Sequence, residues 1–582
     1  MPSDLKIYEF EGFRVEVDKR LLLHNGVSVP LTPKVFDTLL HLVQRPGYVV
    51  DKEELMRAIW PDTVVEENNL NQNISTLRRV LGQNQAEKRY IVTVPGKGYQ
   101  FVGNIVSRDQ SLRASTSEKS RATIAVLPFE NLSADQEKEY LADGLTEETI
   151  VSLGQIDPNH LSVIGRTSVM VYKRTTKTLA EIGRELNASH VVESSLRAEG
   201  GRLRITSKLI RALDQVQIWS SSYDSEPVSM LAFQRELGSA IAEQIRLQLS
   251  PERMTALARR QTKNAEAYDL YLRGRYFWHQ LTPPTTKRAI EHFTHATQLD
   301  PKYALAWSGI ADTYASAPIN GDAPSLDAWA RAREGAARAI AAEPDLAEAQ
   351  TSQGFVKFWF DWEWQAAEDA YRKAIVLDPN YPLSHRMLGI VLAHLGRHQE
   401  AKIEMRRARE IEPLLAVHQS LSAYLAFLEG DFDAAIQFAR QAIVVAPDFW
   451  MGHFQLGQVY LQIGKAELAL DSLNQSARLS GGNSKAFSLR GYLLAKLGRK
   501  DEALELISTL EALARERYVP PYAMALIYVG LEQLDLAFDW LDRAYEVRDV
   551  HMIFLPIDPK WDSLRADTRF IELLQRCAFT KS

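Results

Sequence analysis

The chain has 582 residues, 46% hydrophobic and 24% charged, with a net charge of −6 and one cysteine, Cys577. At roughly 150 residues per domain, that length is about four domains' worth of globular material. The composition excludes a polycation that binds nucleic acid by bulk charge, an internal disulfide and a cysteine-rich zinc site.

A lone cysteine fits a reducing compartment. The start, MPSDLKIYEFEGF, lacks the basic-then-apolar profile of a secretory leader. No apolar run reaches the roughly 18 residues of a membrane span, so no membrane partner and a cytoplasmic location are expected.

The first elements are short strands. Ile7–Phe10, Phe13–Val17, Arg20–His24 and Val27–Val29 alternate or are β-branched, and Gly12, Asp18-Lys19 and Asn25-Gly26 separate them as turns. Thr32-Pro33 opens a helix with proline at its first position, and Val35, Phe36, Leu39, Leu40, Leu42 and Val43 form its buried face. Pro46-Gly47 ends it. Asp51 caps a second helix, Lys52–Trp60, with Leu55, Ile59 and Trp60 inward.

After a loop at Pro61-Asp62-Thr63, the stretch Val64–Leu81 carries apolar residues at Leu70, Ile74, Leu77 and Leu81. That spacing lays one apolar stripe along a helix. The opposite face holds Asn69, Gln72, Asn73, Thr76 and Arg79, with Arg78 at its edge. Amides and guanidiniums are the groups that read base edges and phosphates in a major groove. Two further strands, Tyr90–Val94 and Tyr99–Val102, flank the turn Pro95-Gly96-Lys97-Gly98, a hairpin with a cation at its tip.

Sheet, helix, helix, loop, polar-faced helix and hairpin, in that order, resemble the OmpR/PhoB-type winged-helix family. The matching pieces are Leu31-Thr32-Pro33, Gly47-Tyr48-Val49-Val50, Leu55 with Trp60, Leu77-Arg78-Arg79-Val80-Leu81 and Tyr90 through Tyr99. The wording Val94-Pro95-Gly96-Lys97-Gly98-Tyr99 is similar to the CadC/ToxR-like branch, so no phosphoacceptor receiver is expected. The resemblance implies that Gln72, Asn73 and Thr76 face bases. It implies that Ser75, Arg78, Thr93 and Lys97 hold phosphates or line the minor groove. The loop Pro61, Asp62, Thr63, Val64, Val65 and Glu66 would be offered to RNA polymerase. Pro95 departs from the family: many members carry there an arginine that enters the minor groove, a contact proline cannot make.

Residues 1–105 hold thirteen Lys/Arg and thirteen Asp/Glu, so bulk attraction to phosphate is modest. The charges are sorted, however. Between Arg78 and Tyr99 there are five cations and one anion; between Asp51 and Glu67 there are two cations and six anions. A basic face beside an acidic one suits DNA on one side and another partner on the other.

Residues 106–120, SRDQSLRASTSEKSR in large part, have almost nothing to bury and read as a flexible linker. Residues 121–250 read as a small α/β domain. Its strands are Ala122–Phe129, Leu161–Ile164, His190–Val192 with Ser194–Ala198, Arg202–Arg211 and Gln217–Tyr223. Its helices are Thr146–Leu153, entered at Asp143-Gly144 or capped by Thr146, and Leu179–Leu186. Ala125-Val126-Leu127-Pro128-Phe129, Ala142 through Glu147, Arg166-Thr167-Ser168 and Ile218-Trp219 resemble the TolB N-terminal-like domain. Asp143, Glu147, Glu148 and Arg166 are ionisable, but their spacing matches no nucleophile–base pair, metal cluster or phosphate loop.

From residue 260 to 582, Pro301, Pro344, Pro379, Pro413, Pro447 and Gly481 recur at spacings of 43, 35, 34, 34 and 34. A period of ~34 residues is the tetratricopeptide signature. Leu388-Gly389, Leu456-Gly457 and Arg490-Gly491 keep step, as do Ala401, Ala435, Ala469 and Ala503. About eight repeats are expected from Asn264 to roughly Val550. The nine-residue excess should form a longer loop around Ala315–Ala328, and Pro559–Arg576 a capping helix. The aromatic stretch from Phe355 to Trp364 reads as repeat core. His292 with His295, and His394 with His398, have the spacing of a metal pair but no accompanying carboxylate motif.

The expected fold is thus multidomain: an α+β winged helix-turn-helix, a small α/β domain and an all-α tetratricopeptide solenoid. The function read is a DNA-binding transcriptional regulator, without catalysis or cofactor. Its partners would be double-stranded DNA, RNA polymerase, a protein or peptide in the repeat groove, and possible further copies of itself. The alternative is an adaptor in which winged helix and repeats both bind proteins. A nucleotide cyclase is a third class, and no paired-aspartate metal site supports it.

Overall fold

A computed structural model describes residues 6–10, 12–17, 20–24, 27–29, 31–45, 49–60, 67–81, 90–94, 97–102, 106–109, 122–133, 138–158, 160–199, 202–225, 237–238, 240–241, 243, 262–280, 283–320 and 323–579. Contacts divide the chain into two compact units, Met1–Ser120 and Arg121–Ser582.

In the first unit, β1 (Lys6–Phe10), β2 (Phe13–Glu16), β3 (Leu21–His24) and β4 (Val27–Val29) form an antiparallel meander. Alternation puts Tyr8, Phe10, Phe13, Val15 and Leu22 inside. The helix α1 (Pro33–Val43) starts on Pro33, but the Thr32 side chain makes no capping bond. Asp51 does cap α2 (Lys52–Ile59), accepting from the Glu53 N–H at 2.8 Å. Next come α3 (Glu67–Val80), β6 (Ile91–Val94) and β7 (Gly98–Phe101).

Two strands of this unit were not expected. Val49–Asp51 (β5) pairs with β7, making a three-stranded sheet of the hairpin. A side chain at position 98 would place its Cβ 2.0 Å from the Val50 carbonyl oxygen, so this pairing requires Gly98. Val106–Asp109 (β8), expected to begin the linker, is instead the fifth strand of the first sheet, paired with β1. Its polar sequence is no obstacle at a sheet edge, where backbone bonds and not burial hold it. The rest of the expected linker lies outside the described residues.

The second unit joins the α/β layer and the repeats, which were expected as separate domains. Its mixed sheet combines β9 (Ala122–Val126), β10 (Glu130–Asn131), β11 (Leu161–Val163), β12 (His190–Glu199), β13 (Arg202–Arg211) and β14 (Val216–Ser225). The order is β11-β9-β12-β13-β14, parallel through β12 and antiparallel beyond it. The helix α4 (Glu139–Gly154) begins well before the expected entry, so Asp143-Gly144 is helix interior. The short helix α5 (Arg166–Met170) was missed, and α6 (Leu179–Glu185) has a full capping box between Thr178 and Glu181.

Among the described residues, eight antiparallel helix pairs follow, from Ala265–Trp278 with Pro283–Leu299 to Pro521–Gly530 with Leu534–Glu546. Small residues set the approach between partners: a Cβ at Gly457 would stand 2.5 Å from the Leu473 side chain. The nine-residue excess is not a loop. It lengthens the second pair, whose helices Ala304–Asn320 and Ser325–Ala342 have 17 and 18 residues. The aromatic stretch is core, with Phe358 and Phe360 fully buried, and the helix there widens to a π-turn at Val356–Asp361.

The expected capping helix is corrected. Pro559–Leu564 is a 3-10 turn and only Thr568–Arg576 is α-helical. Trp561, Leu564, Phe570 and Leu573 turn inward and join the core around Trp362. The ring of Phe579 stacks on Trp364 at 5.1 Å, and Arg548 donates to the Phe360 carbonyl at 3.1 Å. The tail thus closes back onto the third helix pair, because its apolar residues bury more surface there than on a solvated end.

Candidate nucleic-acid interface

The geometry of α3 follows from its stripe. Leu70, Ile74, Leu77 and Leu81 are all at most 3% exposed and pack into the core of the first unit. This turns Asn69, Asn71, Gln72, Ser75 and Arg79 to solvent, with Thr76 and Arg78 half-buried at the margins. Lys97 is exposed on the hairpin, where its N–H closes the turn onto the Val94 carbonyl at 3.0 Å. Pro95 and Gly96 lie outside the described residues, as does the whole segment Pro61–Glu66 expected to meet RNA polymerase.

One expected base-reading residue is corrected. Asn73 is buried, and its Nδ2 donates to the Lys34 carbonyl at 3.2 Å and to Thr38 Oγ1 at 3.0 Å. It braces α3 against α1 and does not face outward. Its place on the helix explains this: it sits one turn before Leu77 and flanks the apolar stripe. Thr38, fully buried among the apolar residues of α1, bonds its own helix at the Lys34 carbonyl and still accepts from Asn73.

Arg78 and Thr93 are brought together. Arg78 donates through Nε to the Ile91 carbonyl at 3.2 Å and through a terminal nitrogen to Thr93 Oγ1 at 2.7 Å. The guanidinium therefore ties the polar-faced helix to the hairpin. Tyr99 makes a second tie that the sequence did not reveal, donating its hydroxyl to Asn71 Oδ1 at 2.6 Å. Helix and hairpin are tied by Arg78 and Tyr99 into one surface, on which Asn69, Gln72, Ser75, Thr76, Arg79 and Lys97 lie.

In the second unit, the acids weighed as catalytic are engaged. Asp143 pairs with Lys173 at 2.5 Å and lies 3.8 Å from Arg166. Glu147 pairs with Arg275, with Arg166 at 3.6 Å and with His279 at 3.2 Å. Glu148 accepts from the Tyr268 hydroxyl. Burial opposes charge on Glu147, but the Arg275 and Arg166 guanidiniums and the hydrogen bond with His279 outweigh it and hold its carboxyl well below the usual range. Burial, with Arg166 beside it, lowers His279 to about 3, so its imidazole is neutral. These residues fasten α4 and α5 to the first repeat helices. His394 gives Nδ1 to the Ile390 carbonyl at 2.9 Å, and His292 stacks on Phe277.

Residues 26–101 match the family described as "Transcriptional regulatory protein, C terminal". Residues 370–403, 421–484 and 454–518 match tetratricopeptide repeat families. The transcriptional regulator HilA of Salmonella typhimurium (strain LT2) is 22% identical over 445 residues, 76% of this chain and 77% of HilA. A Rhizobium meliloti (strain 1021) protein with an adenylate cyclase name is 31% identical over 192 residues, and the match spans only 32% of its length. The transcriptional activator CadC of Escherichia coli (strain K12) is 32% identical over 83 residues, 14% of this chain and 16% of CadC. Among solved structures, the DNA-binding domain of E. coli CadC aligns at 27% identity with 18% of this chain and 98% of that one, TM-score 0.17.

Proposed function

From the premise that residues 26–101 belong to the transcriptional regulatory protein C-terminal family and that tetratricopeptide repeats follow, we propose that the chain is a DNA-binding transcriptional regulator. The observation that carries this reading is the single surface made by α3 and the hairpin, locked by Arg78 to Thr93 and Ile91. An α-helix fits the major groove, and a hairpin fixed beside it reaches the flanking backbone or minor groove. In this reading Gln72, with Asn69 and Thr76, contacts base edges. Ser75, Arg79 and Lys97 contact phosphate, which fixes register without reading sequence. Arg78 and Thr93 act chiefly by holding the wing in place. Asn73 has no part in recognition.

The segment Pro61–Glu66 remains the surface we assign to RNA polymerase, and the second unit the part that receives a signal from a bound partner or another copy of the chain. We assign no catalysis to the α/β layer, where Asp143 pairs with Lys173 of the same layer and Glu147 pairs with Arg275 of the first repeat helix. The test is selection of DNA fragments from a random pool by the full chain. A single enriched motif, lost in Gln72→Ala, supports the reading. The adaptor alternative draws on the equal numbers of cations and anions in residues 1–105, and it expects no enriched motif.

A further inference from the structure

The second unit contains a cavity of about 1800 Å³ lined by the first helices of successive repeat pairs. Such an inner face ordinarily takes an extended peptide or protein segment. Here two other parts of the same chain already occupy it. From the α/β layer, Glu147, Ile150 and Arg166 form one wall, anchored by Asn380, whose Nδ2 donates to the Gly154 carbonyl at 2.8 Å. From the C-terminal tail, Phe554 and Lys560 form another, with Phe554 packed 5.8 Å from the Tyr424 ring. The space left is a chamber walled by three segments of one chain. It exceeds the ~300–1,000 Å³ of ordinary ligand pockets, so a small molecule would fill part of it.

The lining is largely aromatic and aliphatic, with Trp278, Trp359, Phe449 and Trp450 among its rings. Set into it is Arg386, half-buried on the helix Pro382–His394. Apart from Lys287, which is exposed, the other cations of the wall have partners in the chain. Arg166 lies beside Asp143 and Glu147, Arg275 pairs with Glu147, and Lys485 donates to the Ile319 carbonyl at 2.5 Å. Lys560 pairs with Asp558 and donates to Gln458 Oε1 at 2.9 Å. Among the described residues, Arg386 has neither a hydrogen bond nor an ion pair. The acid that faces it, Glu412, accepts from the Thr167 N–H at 3.1 Å and stays beyond ion-pair distance. Burial draws the Arg386 pKa down against the opposing pull of Glu412, yet a guanidinium keeps its proton in a protein. A charge partly withdrawn from water and held short of its nearest counter-charge is costly, and an occupant carrying the opposite charge reduces that cost.

We propose that this chamber binds a small amphipathic organic anion, a carboxylate or sulfonate on an apolar body, with Arg386 gripping the anionic head and the aromatic wall covering the rest. The site does not depend on the winged helix binding DNA. An occupant would touch the α/β layer, the repeats and the tail at once, so binding would stiffen the second unit as a whole.

The test uses the full chain and the fluorescent probe 1-anilinonaphthalene-8-sulfonate, displaced in turn by dodecanoate and by dodecanol. The two competitors share a tail and differ in the charged head. Saturable probe binding is expected, with dodecanoate displacing it at least tenfold better than dodecanol. In Arg386→Met that preference disappears while dodecanol is unaffected, and Trp450→Ala weakens both competitors alike. Equal displacement by the two in the unmodified chain overturns the proposal, and that result stands even if Arg386→Met fails to fold. A preference that survives Arg386→Met in a folded variant also overturns it. So does stronger displacement by an apolar hexapeptide than by dodecanoate, which would make the chamber a peptide groove.

Discussion

Replacing Asn73 with alanine separates a brace from a base reader. The side chain gives two neutral hydrogen bonds, at 3.2 and 3.0 Å, to groups on α1. Each such bond contributes about 0.5–1.5 kcal/mol net, so their joint loss costs roughly 1–3 kcal/mol. The lower half of that range is expected. The Lys34 carbonyl still receives the Thr38 hydroxyl at 2.7 Å, so no buried acceptor is abandoned. For a unit of about 100 residues, 1–2 kcal/mol lowers Tm by roughly 5–15 °C. The assay is thermal unfolding of the 1–120 fragment, a compact unit with its own core, alongside DNA selection by the full-length variant. Asn73→Ala should lower Tm and leave the selected motif unchanged. An unchanged Tm with an altered base preference would refute the placement of Asn73 and return it to the groove.

Arg78→Ala should weaken DNA binding across all sequences and cost about 1 kcal/mol of stability, because it frees the hairpin from α3; Thr93→Val should reproduce part of both effects in the same titrations and melts. Gly98→Ala should unfold or displace the wing, since its Cβ would meet the Val50 carbonyl at 2.0 Å, and hydrogen exchange at Val49–Asp51 would rise. Asp312, buried and accepting from Ser352 Oγ at 2.6 Å, has its pKa raised to about 6 by burial. Between the unfolded and folded values only the unfolded state ionises, so this group makes stability fall as pH rises from about 4 to 6 and stay lower above. The effect is at most about 3 kcal/mol. Asp312→Asn should therefore melt higher at pH 8 and flatten that slope, with little change near pH 4.

Periodic features were legible from the sequence. The stripe Leu70, Ile74, Leu77 and Leu81 is spaced by the helix repeat itself, and it oriented α3 correctly. The tetratricopeptide register gave eight helix pairs because close helix contacts demand small residues at fixed intervals. Pairings at a distance were not legible. β8 is a strand only because β1, about 100 residues earlier in the chain, offers it a backbone edge. Asn73 looks like any exposed amide until Thr38 is placed against it. The inward tail was partly foreseeable, since Trp561, Leu564, Phe570 and Leu573 are more apolar than a solvated cap requires. Its docking site at Trp362 and Trp364 lies some 200 residues upstream, beyond any local pattern.

The most direct test of the account is DNA affinity of the full chain across a salt series, for the unmodified protein, Arg79→Ala and Gln72→Ala. We expect log affinity to fall linearly with log salt. Arg79→Ala should reduce that slope by about one, and Gln72→Ala should keep the slope while losing discrimination between the selected motif and a scrambled one. No binding at low salt, or identical behaviour of all three proteins, would contradict the account.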